Sequence, residues 1–218
     1  MTPTDITPAH RLVANARTMP LVAILRGLTP ETAVDIGHAL VNAGFRTLEV
    51  PLNRPGALRC IELLVQHLPA DTLVGGGTML TPSDVQAVYD AGGRLMVSPN
   101  CAPAVIRHAV GLGMLCAPGV ATPTEAFAAL EAGAHALKLF PAEMVGHGGL
   151  KALKSVLPAG TDLWPVGGIT PESMGAWRAA GATGFGIGGQ LFSPGSQAAD
   201  VGVRAAAYVQ AWQALTAA

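Results

Sequence analysis

The sequence predicts an α/β fold: a (β/α)8 TIM barrel forming a single domain over residues 1–218, with an N-terminal extension and short helix within 1–20. Three observations predict it. Short apolar or β-branched runs alternate with Ala-rich stretches of helical period, and the alternation recurs eight times. The same start and stop signals mark successive helices. The length of 218 residues lies near the lower end for such a barrel, roughly 200 residues and up. Repeated strand–helix units of this length imply parallel strands with right-handed crossovers. The alternative is an open doubly wound sheet, which usually carries a glycine-rich turn after its first strand. Arg26-Gly27-Leu28 is not that turn.

The elements follow in order. A short helix over 8–17 precedes strand one at 21–27, an unbroken apolar run up to Arg26. Strands two to four fall at 46–52, 73–79 and 95–100, strands five and six at 114–120 and 136–141, and strands seven and eight at 162–168 and 184–191. Helix starts read Thr29-Pro30-Glu31, Thr81-Pro82-Ser83-Asp84, Thr122-Pro123-Thr124-Glu125 and Thr170-Pro171-Glu172. In each, threonine caps orphan N–H groups, proline fits the first turn and the acid favours the helix dipole. Helix ends read Asn42-Ala43-Gly44, Asp90-Ala91-Gly92, Glu131-Ala132-Gly133 and Ala179-Ala180-Gly181, where glycine supplies a left-handed cap. An Ala-rich helix over 198–214 closes the chain.

Composition narrows the function. Half the residues are hydrophobic and 12% are charged, enough for a large core but a sparse polar surface, which suggests cover by other subunits. A net charge of −1 offers no footprint for nucleic acid, and no basic cluster or long apolar run points to a membrane. Met1-Thr2-Pro3-Thr4-Asp5 lacks the blocks of a signal peptide. Cys60, Cys101 and Cys116 have no metal-ligand spacing and read as reduced thiols of a cytoplasmic protein. There is no paired-His spacing and no carboxylate cluster, so no metal is expected. His38, His67 and His108 read as helix-face residues, while Asn53, Arg54 and His147 fall on expected strand–helix loops.

In a barrel, chemistry sits at the C-terminal strand ends. One of only three lysines, Lys138, lies within the apolar segment His135–Glu143, whereas Lys151 and Lys154 occupy a surface-like helix. Alone, Lys138 reads first as a snorkelling strand-end lysine, and only with its surroundings as a nucleophile whose pKa burial has lowered. Glu49, in Leu48-Glu49-Val50-Pro51, is a second charge inside an apolar strand. Both side chains pointing into one barrel mouth would give a Schiff-base lysine and a proton carrier. Arg26, ending strand one, offers a donor fork for a carboxylate or phosphate, with a rim ion pair as the plainer reading. Thr78 offers a hydroxyl for a ketoacid carboxylate, or a helix cap. Gly167-Gly168 and Gly188-Gly189, after strands seven and eight, suit phosphate binding, although a tight corner also explains a Gly-Gly pair.

These strings carry a resemblance. Ala23-Ile24-Leu25-Arg26-Gly27, Leu48-Glu49-Val50-Pro51-Leu52-Asn53, Gly75-Gly76-Gly77-Thr78, Ser98-Pro99-Asn100, Leu137-Lys138-Leu139-Phe140-Pro141-Ala142 and Val166-Gly167-Gly168 resemble the class I 2-keto-3-deoxy-6-phosphate-sugar aldolases over about 21–215. Strands one, two and seven are most similar to the galactonate-type branch, with a 2-dehydro-3-deoxy-6-phosphogluconate or 4-hydroxy-2-oxoglutarate aldolase as the alternative. The resemblance implies Lys138 as the Schiff-base lysine and Glu49 as the proton shuttle. It implies Arg26, Thr78, Gly168 and Gly188 as substrate contacts, the two glycines on phosphate. Asn53, Pro99, Phe140, Gly167 and Gly189 complete the candidate substrate set. One departure is Gly189-Gln190, where many galactonate-type members carry Ser or Asp after the glycine. The expected reaction releases pyruvate and glyceraldehyde 3-phosphate from a phosphorylated ketoacid, without a cofactor, in a homotrimer. A phosphosugar isomerase or a non-catalytic phosphate-binding barrel is the reading from a different class, and either leaves Lys138 unreactive.

Overall fold

A computed structural model of the chain describes residues 18–217, so the helix expected over 8–17 lies outside the described residues. The elements are β1 (Leu21–Ile24), α1 (Pro30–Ala43), β2 (Thr47–Pro51), α2 (Ala57–His67), β3 (Leu73–Gly77), α3 (Pro82–Asp90), β4 (Leu95–Val97), α4 (Pro103–Gly111), β5 (Leu115–Ala117), β6 (Gly119–Val120), α5 (Pro123–Glu131), β7 (Leu137–Leu139), α6 (Ala142–Val156), β8 (Leu163–Pro165), α7 (Met174–Ala180), β9 (Phe185–Ile187) and α8 (Ala198–Thr216). Among the described residues every strand pair is parallel. One sheet has the order β5-β4-β3-β2-β1-β9 and the other β6-β7-β8. A doubly wound sheet reverses its strand order midway, and this sequential order does not.

The strand expected at 114–120 divides at Pro118. Its first half pairs with β4 and its second with β7. Proline has no N–H to donate, and its carbonyl instead accepts from the Lys138 N–H at 2.9 Å. At the opposite edges, a bridge between Val166 and Gly186 joins the end of β8 to β9, and the Thr183 N–H donates to the Leu163 carbonyl. The α/β class, the parallel pairing and the strand–helix alternation are thus as the sequence predicts, with strands shorter than their apolar runs.

The helix signals divide similarly. Thr81 and Thr122 form reciprocal caps with Asp84 and Glu125. Thr29 sits at the start of α1 but makes no side-chain cap bond. Thr170-Pro171-Glu172 opens a turn instead of a helix, because Ser173 takes the position before α7. Gly44, Gly92, Gly133 and Gly181 all adopt positive φ at helix ends.

Strand residues alternate between two faces. Leu48, Val50, Leu137 and Leu139 point into the large core beneath the helices. On the other face, Val22, Leu73, Leu95, Val97, Leu115, Ala117, Ala136 and Trp164 form a separate apolar cluster. Each fully buried Leu or Val there stabilises by roughly 1.5–3 kcal/mol. Glu49 and Lys138 share this second face by the same alternation, so any charge they carry lies beyond an apolar floor.

Candidate active site

Lys138 is the middle residue of β7, flanked in register by Gly119 and Trp164. It is 8% exposed, and Glu49 on β2 is 1% exposed. Gly77 on β3 leaves room for the glutamate, since a Cβ at that position would overlap the Glu49 carboxylate. No ion-pair contact joins the two charges among the described residues, and Glu49 Oε2 is buried without a hydrogen-bond partner. A buried oxygen in that state has a strong demand for a donor. The Lys138 ammonium nitrogen lies 4.9 Å from the Phe140 ring centroid.

Burial sets the electrostatics. Desolvation pushes the Lys138 amine below its ordinary value; the Glu49 carboxylate opposes this and the Arg26 guanidinium adds to it. Desolvation pushes Glu49 above the usual carboxylate range, against the pull of Lys138 and Arg26. The two shifts run toward each other, the acid's upward and the base's downward, as suits an acid–base pair at a reacting centre. The lysine is therefore no snorkelling rim residue, because its amine is buried with its stem.

Beside this pair lies a cavity of about 270 Å³. Arg26, Phe140, Gly167, Gly168, Gly188 and Gly189 line it, so six of the sequence-predicted residues converge on one space. Phe140 connects the two parts, touching the lysine nitrogen on one side and the cavity on the other. Arg26 lies two residues beyond β1 and is exposed, with no ion pair among the described residues. Gly167 and Gly168 have φ of 125° and 60°, conformations that L side chains rarely adopt.

The remaining candidates stand apart from the cavity. Thr78 follows β3 with φ of 55°, an uncommon conformation for a β-branched residue and one that clusters at functional sites. It is not a helix cap, because Thr81 has that role. Pro99 packs its backbone on Gly119, beside Lys138 in register. Asn53 is exposed on the β2–α2 turn and is not brought to the cavity. His147 lies within α6, just past a break at Gly146, and packs its ring at a tilt against Trp177 instead of occupying a loop. His38, His67 and His108 are on α1, α2 and α4 as expected. Among the described residues, no group of three or more His, Cys, Asp or Glu side chains is placed to hold a metal ion, and no helix is long and apolar enough to cross a membrane.

Sequence reasoning missed several cavity residues. Gln190, Phe192, Ser193 and Pro194 come from the loop between β9 and α8. Glu143, at the start of α6, lays its carboxylate against Gly167 and comes within 3.2 Å of where a Cβ on Gly168 would stand. Their only sequence signal was position just after a strand.

Comparison with known proteins agrees with this geometry. A family model described as "Aldolase: KDPG and KHG aldolase" matches residues 12–203. The chain is 48% identical over 196 residues to a protein of Rhizobium meliloti named "Probable 2-dehydro-3-deoxy-6-phosphogalactonate aldolase", covering 90% of this chain and 92% of the relative. It is similar to a solved "Native KDPGal structure", with a TM-score of 0.90, 44% identity, and coverage of 92% of this chain and 97% of the other. It is also similar to a KDPG aldolase from Legionella pneumophila solved with pyruvate captured as a covalent carbinolamine, with a TM-score of 0.76, 26% identity, and coverage of 96% and 98%.

Proposed function

Because the chain belongs to the KDPG and KHG aldolase family, we propose that it cleaves 2-dehydro-3-deoxy-6-phosphogalactonate to pyruvate and glyceraldehyde 3-phosphate through a Schiff base on Lys138. The observation that carries this reading is the burial of Lys138 and Glu49 on one inner face, beside a cavity with an arginine and two glycine turns. The galactonate epimer is supported by the name of the Rhizobium relative, and a covalent lysine adduct by the carbinolamine of the Legionella enzyme.

The neutral Lys138 amine attacks the C2 ketone. Glu49 delivers the proton with which the carbinolamine hydroxyl leaves as water, giving the iminium. Glu49, now a carboxylate, takes the C4 hydroxyl proton. The C3–C4 bond breaks, its electron pair moves into the iminium to form an enamine, and glyceraldehyde 3-phosphate departs. Protonation at C3 and hydrolysis then release pyruvate. The iminium is itself the electron sink, so the scheme needs no cofactor. Thr78 and Pro99 would border the carboxylate end, and Arg26 and the glycine turns the phosphate. In the same reading, residues 1–218 are one domain. Its two sheets form a single closed (β/α)8 barrel, with β5 and β6 acting as one strand. The enzyme is cytoplasmic and assembles as a homotrimer, for which exposed Met144 and Val203 beside few charges are the support.

Borohydride reduction in the presence of pyruvate, followed by peptide mapping, should place the adduct on Lys138, and Lys138→Ala should lose both adduct and turnover. Turnover retained in that variant, or an adduct confined to Lys151 or Lys154, rejects the scheme. Comparing kcat/KM for the two C4 epimers tests the substrate separately. The pH dependence has a defined sign. Trapping requires the neutral amine, so its rising limb should fall below pH 10.5, the ordinary lysine value. Glu49→Gln removes the charge that favours the ammonium and should move the limb lower still. Arg26→Gln removes a like charge and should move it higher.

A further inference from the structure

The loop between β9 and α8 forms one wall of the cavity, and its hydrogen bonds fix the direction of a hydroxyl. The Ser196 Oγ accepts from the Ser193 N–H at 3.2 Å and from the Arg204 guanidinium at 3.2 Å. A serine oxygen has two acceptor positions and one hydrogen. With both acceptor positions filled, Ser196 can only be the donor in its 3.3 Å contact with Ser193 Oγ. The Ser193 O–H is then left free to donate, and Ser193 lines the cavity. The guanidinium charge at the head of this short chain polarises it in the same direction.

The wall itself is braced from two sides. The Arg204 Nε–H donates to the Leu191 carbonyl at 2.9 Å, tying the loop to α8. The Pro194 ring packs on Gly27, where an added Cβ would lie only 2.9 Å from its Cγ, tying the loop to the segment after β1 that carries Arg26. Gly189 has no side chain to contribute, so among the lining residues the polar side chains are Arg26, Gln190 and Ser193.

We infer that Ser193 is a specificity-determining residue that donates its hydroxyl hydrogen to the anionic terminus of the substrate, and that Arg204 is a positioning residue acting through Ser196 to aim it. This rests on the proposed phosphorylated substrate, but the donor arrangement stands on the hydrogen bonds alone. Arg204 touches no reacting atom. Its contribution is the orientation of another residue's donor.

The test separates binding from chemistry. Ser193→Ala should raise KM for the phosphorylated ketoacid about tenfold at unchanged kcat, the size of one hydrogen bond to a charged group. It should weaken the binding of inorganic phosphate, read by titration calorimetry, by a similar factor. The rate of borohydride trapping with pyruvate, which has no distal anion, should not change. Arg204→Leu should reproduce the Ser193→Ala effect on phosphate, and the double variant should be no worse than either single one, because both act through one hydroxyl. Unchanged phosphate binding in Ser193→Ala overturns the inference, and so does full additivity in the double variant. Should Arg204→Leu fail to fold, the exposed Ser193→Ala variant still decides. Phosphate calorimetry needs no turnover, so a wrong substrate assignment would appear as absent cleavage with the Ser193 effect on phosphate intact.

Discussion

The two Gly-Gly turns that line the cavity read alike in sequence and are unlike in structure. Gly167 and Gly168, after β8, are glycines by backbone necessity: both have positive φ, and a Cβ on Gly167 would overlap the Glu143 carboxylate. Gly188 and Gly189, after β9, have ordinary φ and open surroundings. A Cβ on Gly188 would meet only Ile24, at 3.9 Å, and one on Gly189 would meet nothing within 4 Å. The first turn is thus shaped by the chain's own packing. The second has open space around its Cα atoms. One string therefore encodes two constraints, conformation in one place and vacant volume in the other.

The comparison breaks most visibly at Gly167. Gly167→Ala must strain a positive φ, at about 1–3 kcal/mol, and displace Glu143 as well. The Tm should fall by roughly 2–12 °C for a chain of this size, and KM for the phosphorylated substrate should rise more than about tenfold. Pairing it with Glu143→Ala should restore the part due to overlap and leave the part due to φ. Complete restoration would show that φ matters little and would erase the contrast between the turns.

The sequence made the fold legible where local chemistry decides it. Alternating periods gave the strand–helix order, and Thr81 and Thr122 announced their helices because their partners stand three residues away. Lys138 and Glu49 were legible because a charge inside an apolar run needs a reason. What stayed hidden depends on neighbours distant in sequence. Pro118 divides a strand between two partners that no local pattern names. Thr170 has the same cap string as Thr81, yet Ser173 takes the helix start. Ser193 carries no local signal, because Arg204, which acts on it through Ser196, lies on the far helix. Glu143 gained its contact with Gly167 only when α6 packed beside the end of β8.

A smaller effect is expected at Gly188. The carbonyl of this residue accepts from the Leu191 and Phe192 N–H groups at 2.8 and 3.0 Å, and a methyl on its Cα leaves those bonds in place. Gly188→Ala should therefore keep the Tm within about 1–2 °C of the wild type. The methyl would enter the cavity next to Ile24, so KM for the phosphorylated substrate should rise by roughly threefold to tenfold. A Tm loss comparable to that of Gly167→Ala would mean that the β9 turn is also fixed by packing.

The smallest effect, and the most discriminating in sign, belongs to Gly189→Ser. The backbone there is ordinary and the space is open, so a serine should fit without strain and leave the Tm unchanged. Its hydroxyl would join Ser193 at the same cavity wall, and KM for the phosphorylated substrate should fall by about twofold to threefold. Introduced into Ser193→Ala, it should recover part of the lost phosphate affinity, since one donor can substitute for another beside a common anion. A rise in KM, or no recovery in the Ser193→Ala background, would show that the open side of the β9 turn faces away from the anion. The vacancy at Gly189 would then have to be read as surface, not as site.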